Sequence, residues 1–150
     1  MIVTKTILHD VHQTGQQMAR LVSLYWSDLG AWLDRPFLEY YRFVCSLPYV
    51  SDPDNVETVS RPLFTLNPDY RPRDCDDKAV LLAAWWYGHG RPVRFVASSC
   101  KPSKTLGHVF IQVGDGLFFD ATYNHYAEML GNYPYFYRLT KLVPLTGWLK

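Results

Sequence analysis

Cysteine is scarce in this sequence. Cys45, Cys75 and Cys100 are too few and too scattered for a disulfide framework, and one must stay unpaired in any monomer. Free thiols are the simpler reading. Charge of one sign is also lacking: 15 basic residues against 14 acidic ones leave a net charge of +1, with no basic run or basic-aromatic stripe. Electrostatic capture of nucleic acid or of an anionic membrane surface is therefore not expected. No apolar run approaches the roughly 18 residues of a membrane span, and "MIVTKTILHDVHQ" lacks the apolar stretch of a secretory signal, so the expected compartment is the cytoplasm. No Cys-x-x-Cys or His-x-x-x-His pair is present. Asp74, Cys75, Asp76, Asp77 and His108 do not amount to a metal set, because adjacent helical residues point in different directions, and no metal or other cofactor is expected. Repeats, low-complexity tracts and domain boundaries are missing too, which makes residues 1–150 one domain.

What the sequence does hold is apolar side chain, 48% hydrophobic and 16% aromatic, spread along the chain as in a packed globular domain. Met18, Leu21, Val22, Tyr25 and Leu29 recur at helical spacing, and after Pro36 the set Phe37, Tyr40, Tyr41, Val44 and Leu47 does the same, giving N-terminal helices over residues 1–47. From Pro48 to Pro72 the chain carries five prolines among polar turn residues, which predicts an extended wrapping loop over 48–73. Residues 74–150 form the remainder. A third helix starts with Asp74 as N-cap and Asp76 and Asp77 in its first turn, and is stopped by "GHG" at 88–90. "PVRFVA", "HVFIQV" and "LFFDAT" read as strands. The fold class is α+β, helices first and an antiparallel β-sheet after.

The stretch "RPRDCDDKAVLLAAWW" places Cys75 at the first position of that third helix, where outward amide N–H groups favour an anion such as a thiolate. Ala79, Leu82, Ala83 and Trp86 follow the sulfur at helical spacing and carry its face into the core. The competing reading is a buried filler at a helix start. A nucleophile needs a base, and the candidates are His108, opening "HVFIQV", and Asp120, closing "LFFDAT". A two-residue turn at 115–116 would put Ile111 opposite Asp120 and His108 on the other face. A three-residue loop, Gly114-Asp115-Gly116, pairs Val113 with Leu117 and makes His108 and Asp120 same-face diagonal neighbours, with Gly116 supplying the left-handed conformation such a loop wants. The second register is expected, and it sets a nucleophile, a base and an orienting carboxylate together.

Taken in order, "DCDDKAVLLAAWWYGHGRPVRFV", "GHVFIQV" and "LFFDAT" resemble the transglutaminase-like superfamily of papain-type cysteine enzymes, and "LPYVSDPDNVETVSRPLFTL" before them is similar to versions encoded by bacteriophages and prophages. The resemblance covers roughly residues 48–123. It implies a catalytic helix packed on an antiparallel sheet, with Cys75 as nucleophile, His108 as general base and Asp120 as orienting acid; residues 90–94, "GRPVR", match the family's turn. It further implies a peptidase or amidase, or a transglutaminase-like acyltransferase that cross-links proteins, acting on a protein or peptide-like amide in the host cytoplasm or the virion, or else an assembly protein that keeps the fold to bind other virion proteins; hydrolysis is expected over cross-linking. Arg73 departs from the pattern, which often has glycine two positions before the cysteine.

Other residues enter as candidate substrate contacts. Asn67 is a possible second oxyanion donor, Trp86 a possible wall of the site, and His125 lies just beyond Asp120 in "ATYNHYAE". Cys45 and Cys100 read as filler, and the Tyr-rich "YNHYAEMLGNYPYFY" as a groove lining or as cover for the open side of the sheet. For the thiol, two effects compete: an imidazolium nearby favours the thiolate, while Asp74, Asp76 and Asp77 oppose it. With the carboxylates exposed and screened, the thiolate is expected to dominate at neutral pH.

Overall fold

The computed structural model describes residues 11–52, 58–69, 73–98, 108–122 and 143–150. Helix α1, Val11–Tyr25, buries Met18, Leu21 and Val22 as its spacing predicts. The expected continuation through Leu29 takes another form: the chain tightens into a 3-10 segment, Trp26–Asp34, kinked at Gly30 with φ 55° and ψ −125°. Only glycine adopts that backbone without steric cost, so Gly30 kinks the 3-10 segment while Leu29 still reaches the core. Helix α2, Phe37–Ser46, begins after Pro36 and buries Tyr40, Tyr41, Val44 and Cys45.

The proline-rich stretch is more organised than an extended loop. Pro62 occupies the first position of a single-turn helix α3, Pro62–Thr65, where its missing N–H costs nothing. Arg61 beside it grips Asp28 of the 3-10 segment through two hydrogen bonds, 2.8 and 2.9 Å, and lies over the Tyr25 ring. Val50 and Arg73 form an antiparallel bridge, exchanging N–H to carbonyl bonds of 2.7 and 2.9 Å, which closes the stretch at its base.

Helix α4, Cys75–Gly88, is the centre of the molecule. Every residue from Cys75 to Ala84 is buried, and the helix touches α1, the 3-10 segment, α2, α3 and two strands. Its polar N-terminal residues must therefore find partners inside the protein. Its C-terminal end carries an aromatic cluster in which Trp85 and Trp86 both pack against Phe37, and Trp86 stacks on Phe119. Gly90, with φ 70°, then turns the chain into the sheet, which is the stop expected of "GHG".

Strands β1, Val93–Ser98, β2, His108–Val113, β3, Leu117–Phe119, and the short β4, Val143–Pro144, make an antiparallel sheet in the order β3-β2-β1-β4. Val93, Phe95, Ala97, Val109, Ile111, Val113 and Phe119 join the helical core. By the alternation of a strand, Ser98, His108, Phe110 and Gln112 take the other face. Among the described residues no helix is long and apolar enough to cross a membrane.

The β2–β3 hairpin has the three-residue register: Val113 pairs with Leu117 and Ile111 with Phe119. The positive φ sits at Gly114, 57°, and not at Gly116 as the turn chemistry suggests. Gly114 also donates its N–H to Pro92 of the neighbouring connection, 3.0 Å, so the chain bends while still tied to β1. A side chain at Gly114 would meet nothing within 4 Å, so its effect is purely one of backbone. Gly114→Ala is expected to destabilise the fold by about 1–2 kcal/mol, the left-handed cost for an L-residue. Gly116→Ala should be within about 0.5 kcal/mol of wild type, as at an ordinary surface site. Urea denaturation of both variants checks the assignment, and equal losses would contradict it.

Candidate active site

Asp74 starts the site by capping α4. Its carboxylate accepts the N–H groups of Asp76 and Asp77, 3.2 and 3.4 Å, while the Asp77 carboxylate reaches back to the Asp74 N–H, 3.1 Å, completing a reciprocal capping box. Asp77 also accepts the Ser60 N–H, 2.9 Å, which ties the loop ahead of α3 to the helix. Burial pushes both carboxyls upward, Asp77 to about 7 and Asp74 further.

Cys75 is the first residue of α4, and its sulfur lies 3.7 Å from Asp76 Oδ1. The other first-turn amides are taken, since Asp76 and Asp77 donate to the Asp74 side chain and Lys78 donates to the Asp74 carbonyl, 3.1 Å. The Cys75 N–H has no acceptor among the described residues. The Val109 N–H points at the sulfur from β2, which brings the helix start against the strand start, one residue from His108.

His108 and Asp120 meet as the register requires, with His108 Nε2 2.5 Å from Asp120 Oδ2, both side chains almost wholly buried. The other carboxylate oxygen of Asp120 accepts the Thr122 N–H, 2.9 Å, and the Asp120 carbonyl accepts the Tyr41 hydroxyl, 2.5 Å. With Nε2 committed to the carboxylate, Nδ1 is the ring nitrogen that can exchange a proton. Cys75, at 9% exposure, is the most accessible of the three.

The remaining sequence candidates are placed differently. Asn67 is exposed, its carboxamide oxygen accepts the Asp69 N–H, 3.0 Å, and its carbonyl takes Arg73 Nη2, 2.9 Å; no described contact joins it to Cys75. Trp86 stands 11 residues along α4, about 16 Å from Cys75 at 1.5 Å per residue, inside the aromatic cluster, so it does not wall the site. His125 and Cys100 lie outside the described residues. Two surface clefts, about 470 and 620 Å³, lie away from the sulfur; one borders Trp26 and Tyr87, and the other Arg20 and Trp148.

Four groups escaped the sequence reading. Arg73 is buried, and its guanidinium serves the carbonyls of Thr65, Asn67 and Pro48, so it braces the wrapping loop. Lys78 is buried among backbone carbonyls. Tyr41 reaches Asp120. Tyr49 is half-exposed, held by the Val50–Arg73 bridge across from Asp74, and its phenol is pushed up to about 12 by burial first and then by the charges of Cys75, Asp74 and Asp76. A signal existed for Lys78: it is the sole cation of Cys75–Gly88, followed by an apolar run from Ala79 to Trp86.

The thiol differs from expectation. Burial pushes Cys75 well above the ordinary thiol range, and Asp76 and Asp74 add to the shift, because these carboxylates are themselves buried and escape solvent screening. Alkylation of Cys75 should therefore show its main inflection above the ordinary ~8.5 of a free thiol. Asp76→Asn should move it down. Cys45, raised to about 11 by burial, serves as the internal comparison. An inflection for Cys75 below the free-thiol value, measured by mass spectrometry of each labelled peptide against pH, would contradict this. No family model matches the chain, and neither a curated protein nor a solved structure does.

Proposed function

We propose that the protein is a cysteine-dependent acyl-transfer enzyme, a peptidase or amidase acting on protein or peptide-like amides through Cys75, His108 and Asp120, with the papain-like arrangement of the transglutaminase-like superfamily. The observation that carries this reading is the His108 Nε2 to Asp120 Oδ2 contact, with the Val109 N–H at the Cys75 sulfur. A strand histidine whose ring is oriented by a buried carboxylate, placed one residue from a thiol at a helix start, is the nucleophile–base–orienter logic of acyl transfer.

The raised thiol specifies how the reaction begins. Cys75 is neutral in the resting site, so His108 acts as a general base and takes the S–H proton at Nδ1 as sulfur attacks the carbonyl carbon. The resulting oxyanion faces the Cys75 N–H, which has no acceptor among the described residues, at the positive end of α4. Collapse of the tetrahedral species breaks the C–N bond, and the imidazolium returns its proton to the leaving amine. Water, deprotonated by His108, then cleaves the thioester to a carboxylic acid and restores the thiol. Asp120 remains ionised throughout and holds the ring tautomer.

A second reading is favoured by the near-burial of the sulfur: an assembly or binding protein, with other virion proteins as partners, that keeps the fold without the chemistry. The host cytoplasm and the virion are the settings proposed for either activity.

The two readings part on turnover. A panel of peptide, isopeptide and cell-wall amide substrates should yield at least one that the wild type cleaves and Cys75→Ala does not, while Cys75→Ala folds normally, since a first-turn position tolerates alanine. His108→Ala should lower turnover by roughly 10²–10⁴-fold. Asp120→Asn should be comparably damaging. The Thr122 N–H and the His108 Nε2–H are both donors and asparagine has one acceptor, so its NH₂ would force the imidazole into the other tautomer. Full turnover in Asp120→Asn would mean that Asp120 is not the orienter, and no turnover in wild type with any substrate would sink the enzyme reading.

A further inference from the structure

We propose that Lys78 is the positioning residue of the site, fixing Asp120, and through it His108, relative to the helix that carries Cys75. The inference takes its purpose from the acyl-transfer reading, while its geometry stands independently of that reading.

Lys78 lies three residues after Cys75, on the neighbouring turn of α4 and therefore on the side of the helix that carries the sulfur. It is 2% exposed. Its ammonium donates to the Ala121 carbonyl, 3.2 Å, and to the Cys45 carbonyl, 3.4 Å. The Cys45 carbonyl is among the last four of α2, which lack intrahelical partners and carry the negative end of the helix dipole. One cation thus ties three pieces of chain together: the nucleophile's helix, the end of α2, and the residue directly after Asp120.

The preceding carbonyl, that of Asp120, is taken by the Tyr41 hydroxyl from the same α2 helix. Two consecutive backbone carbonyls are therefore anchored from the helical layer, while the Asp120 side chain faces the imidazole. Among the described residues β3 is short and edge-placed, and its ladder ends at Phe119, so no described strand holds residues 120–122. The anchors from α2 and α4 do. Burying an ammonium group is costly, and an apolar side chain of equal length would fill the same volume without that cost. What a methionine lacks is the donor for Ala121 and Cys45.

The test replaces Lys78 by Met, which keeps the length, and by Gln, which keeps a donor without charge. The first readout is the His108 tautomer, followed by nitrogen-detected NMR of the imidazole, which requires no substrate. Wild type should hold the Nε2–H form. Lys78→Met should give a mixture of tautomers, with Lys78→Gln between the two. The second readout is kinetic, with the amide substrate that the panel yields: Lys78→Met should lower kcat by roughly 10²-fold, the scale of a misplacement near 1 Å, with KM within about twofold. A residue that merely packs would lower the melting temperature and leave the tautomer and the kcat to KM split unchanged, and that result in either folded variant overturns the proposal. Should neither lysine variant fold, Tyr41→Phe removes the hydroxyl from the adjacent carbonyl at almost constant volume, and an undisturbed His108 tautomer there overturns it equally. If the wild type cleaves no substrate, the acyl-transfer reading fails, and the tautomer measurement still decides what Lys78 does.

Discussion

The buried stretch of α4, from Cys75 to Ala84, must settle its polar groups inside the protein, and it sets that constraint for what packs around it. The solutions interlock. Asp74 and Asp77 cap the first turn reciprocally, Asp77 reaches the Ser60 N–H, Lys78 spreads its charge over two carbonyls, and the Tyr40 hydroxyl donates to the Leu81 carbonyl, 2.9 Å. Each of these bonds also fixes a piece of chain that would otherwise be free to choose its path. The wrapping loop, the end of α2 and the segment after β3 are all held by groups that α4 could not leave unsatisfied.

The same burial determines the chemistry available to Cys75. A helix N-terminus in water lowers a thiol's pKa, but here loss of hydration outweighs the helix field, and the nearby carboxylates act unscreened. On the acyl-transfer reading, nucleophile and base start as a neutral pair, and charge separates only when a carbonyl arrives to receive the sulfur. An environment that disfavours a resting thiolate also protects the sulfur from adventitious electrophiles and oxidants, since those react with the anion.

Local chemistry was legible in the sequence where a few neighbouring residues decide the outcome. Asp74 as N-cap follows from side-chain reach, and the meeting of His108 with Asp120 follows from counting along a period-two strand across a three-residue turn. Neither needs knowledge of the rest of the chain. Features that depend on what packs against what were not legible. The α1 stripe continues past Tyr25 without showing that the chain tightens there into a 3-10 segment, and either glycine of "GDG" satisfies the turn on paper, while the tie from Gly114 to Pro92 selects the first. The aspartates beside Cys75 look like a solvated helix start until the wrapping loop is seen to close over them. Trp86 was misplaced for a simpler reason: it shares a helical face with Cys75 but stands three turns away, and a shared face does not make a shared site.

The aromatic distribution has a spectroscopic consequence. Trp85 and Trp86 sit at the C-terminal end of α4; Trp26 borders Gly88, and Trp32 accepts the Trp85 indole N–H at its carbonyl, 3.1 Å. Trp148 lies against Arg94, at the end of β1 remote from the strand position that faces His108. All five indoles of the chain thus gather away from the sulfur, whereas the Tyr49 phenol lies close enough to Cys75 to feel its charge. Intrinsic emission therefore reports on the packing of the helical layer and is nearly blind to events at the thiol. Tyr49, half-exposed beside the nucleophile, is the position from which an optical label would look into the site.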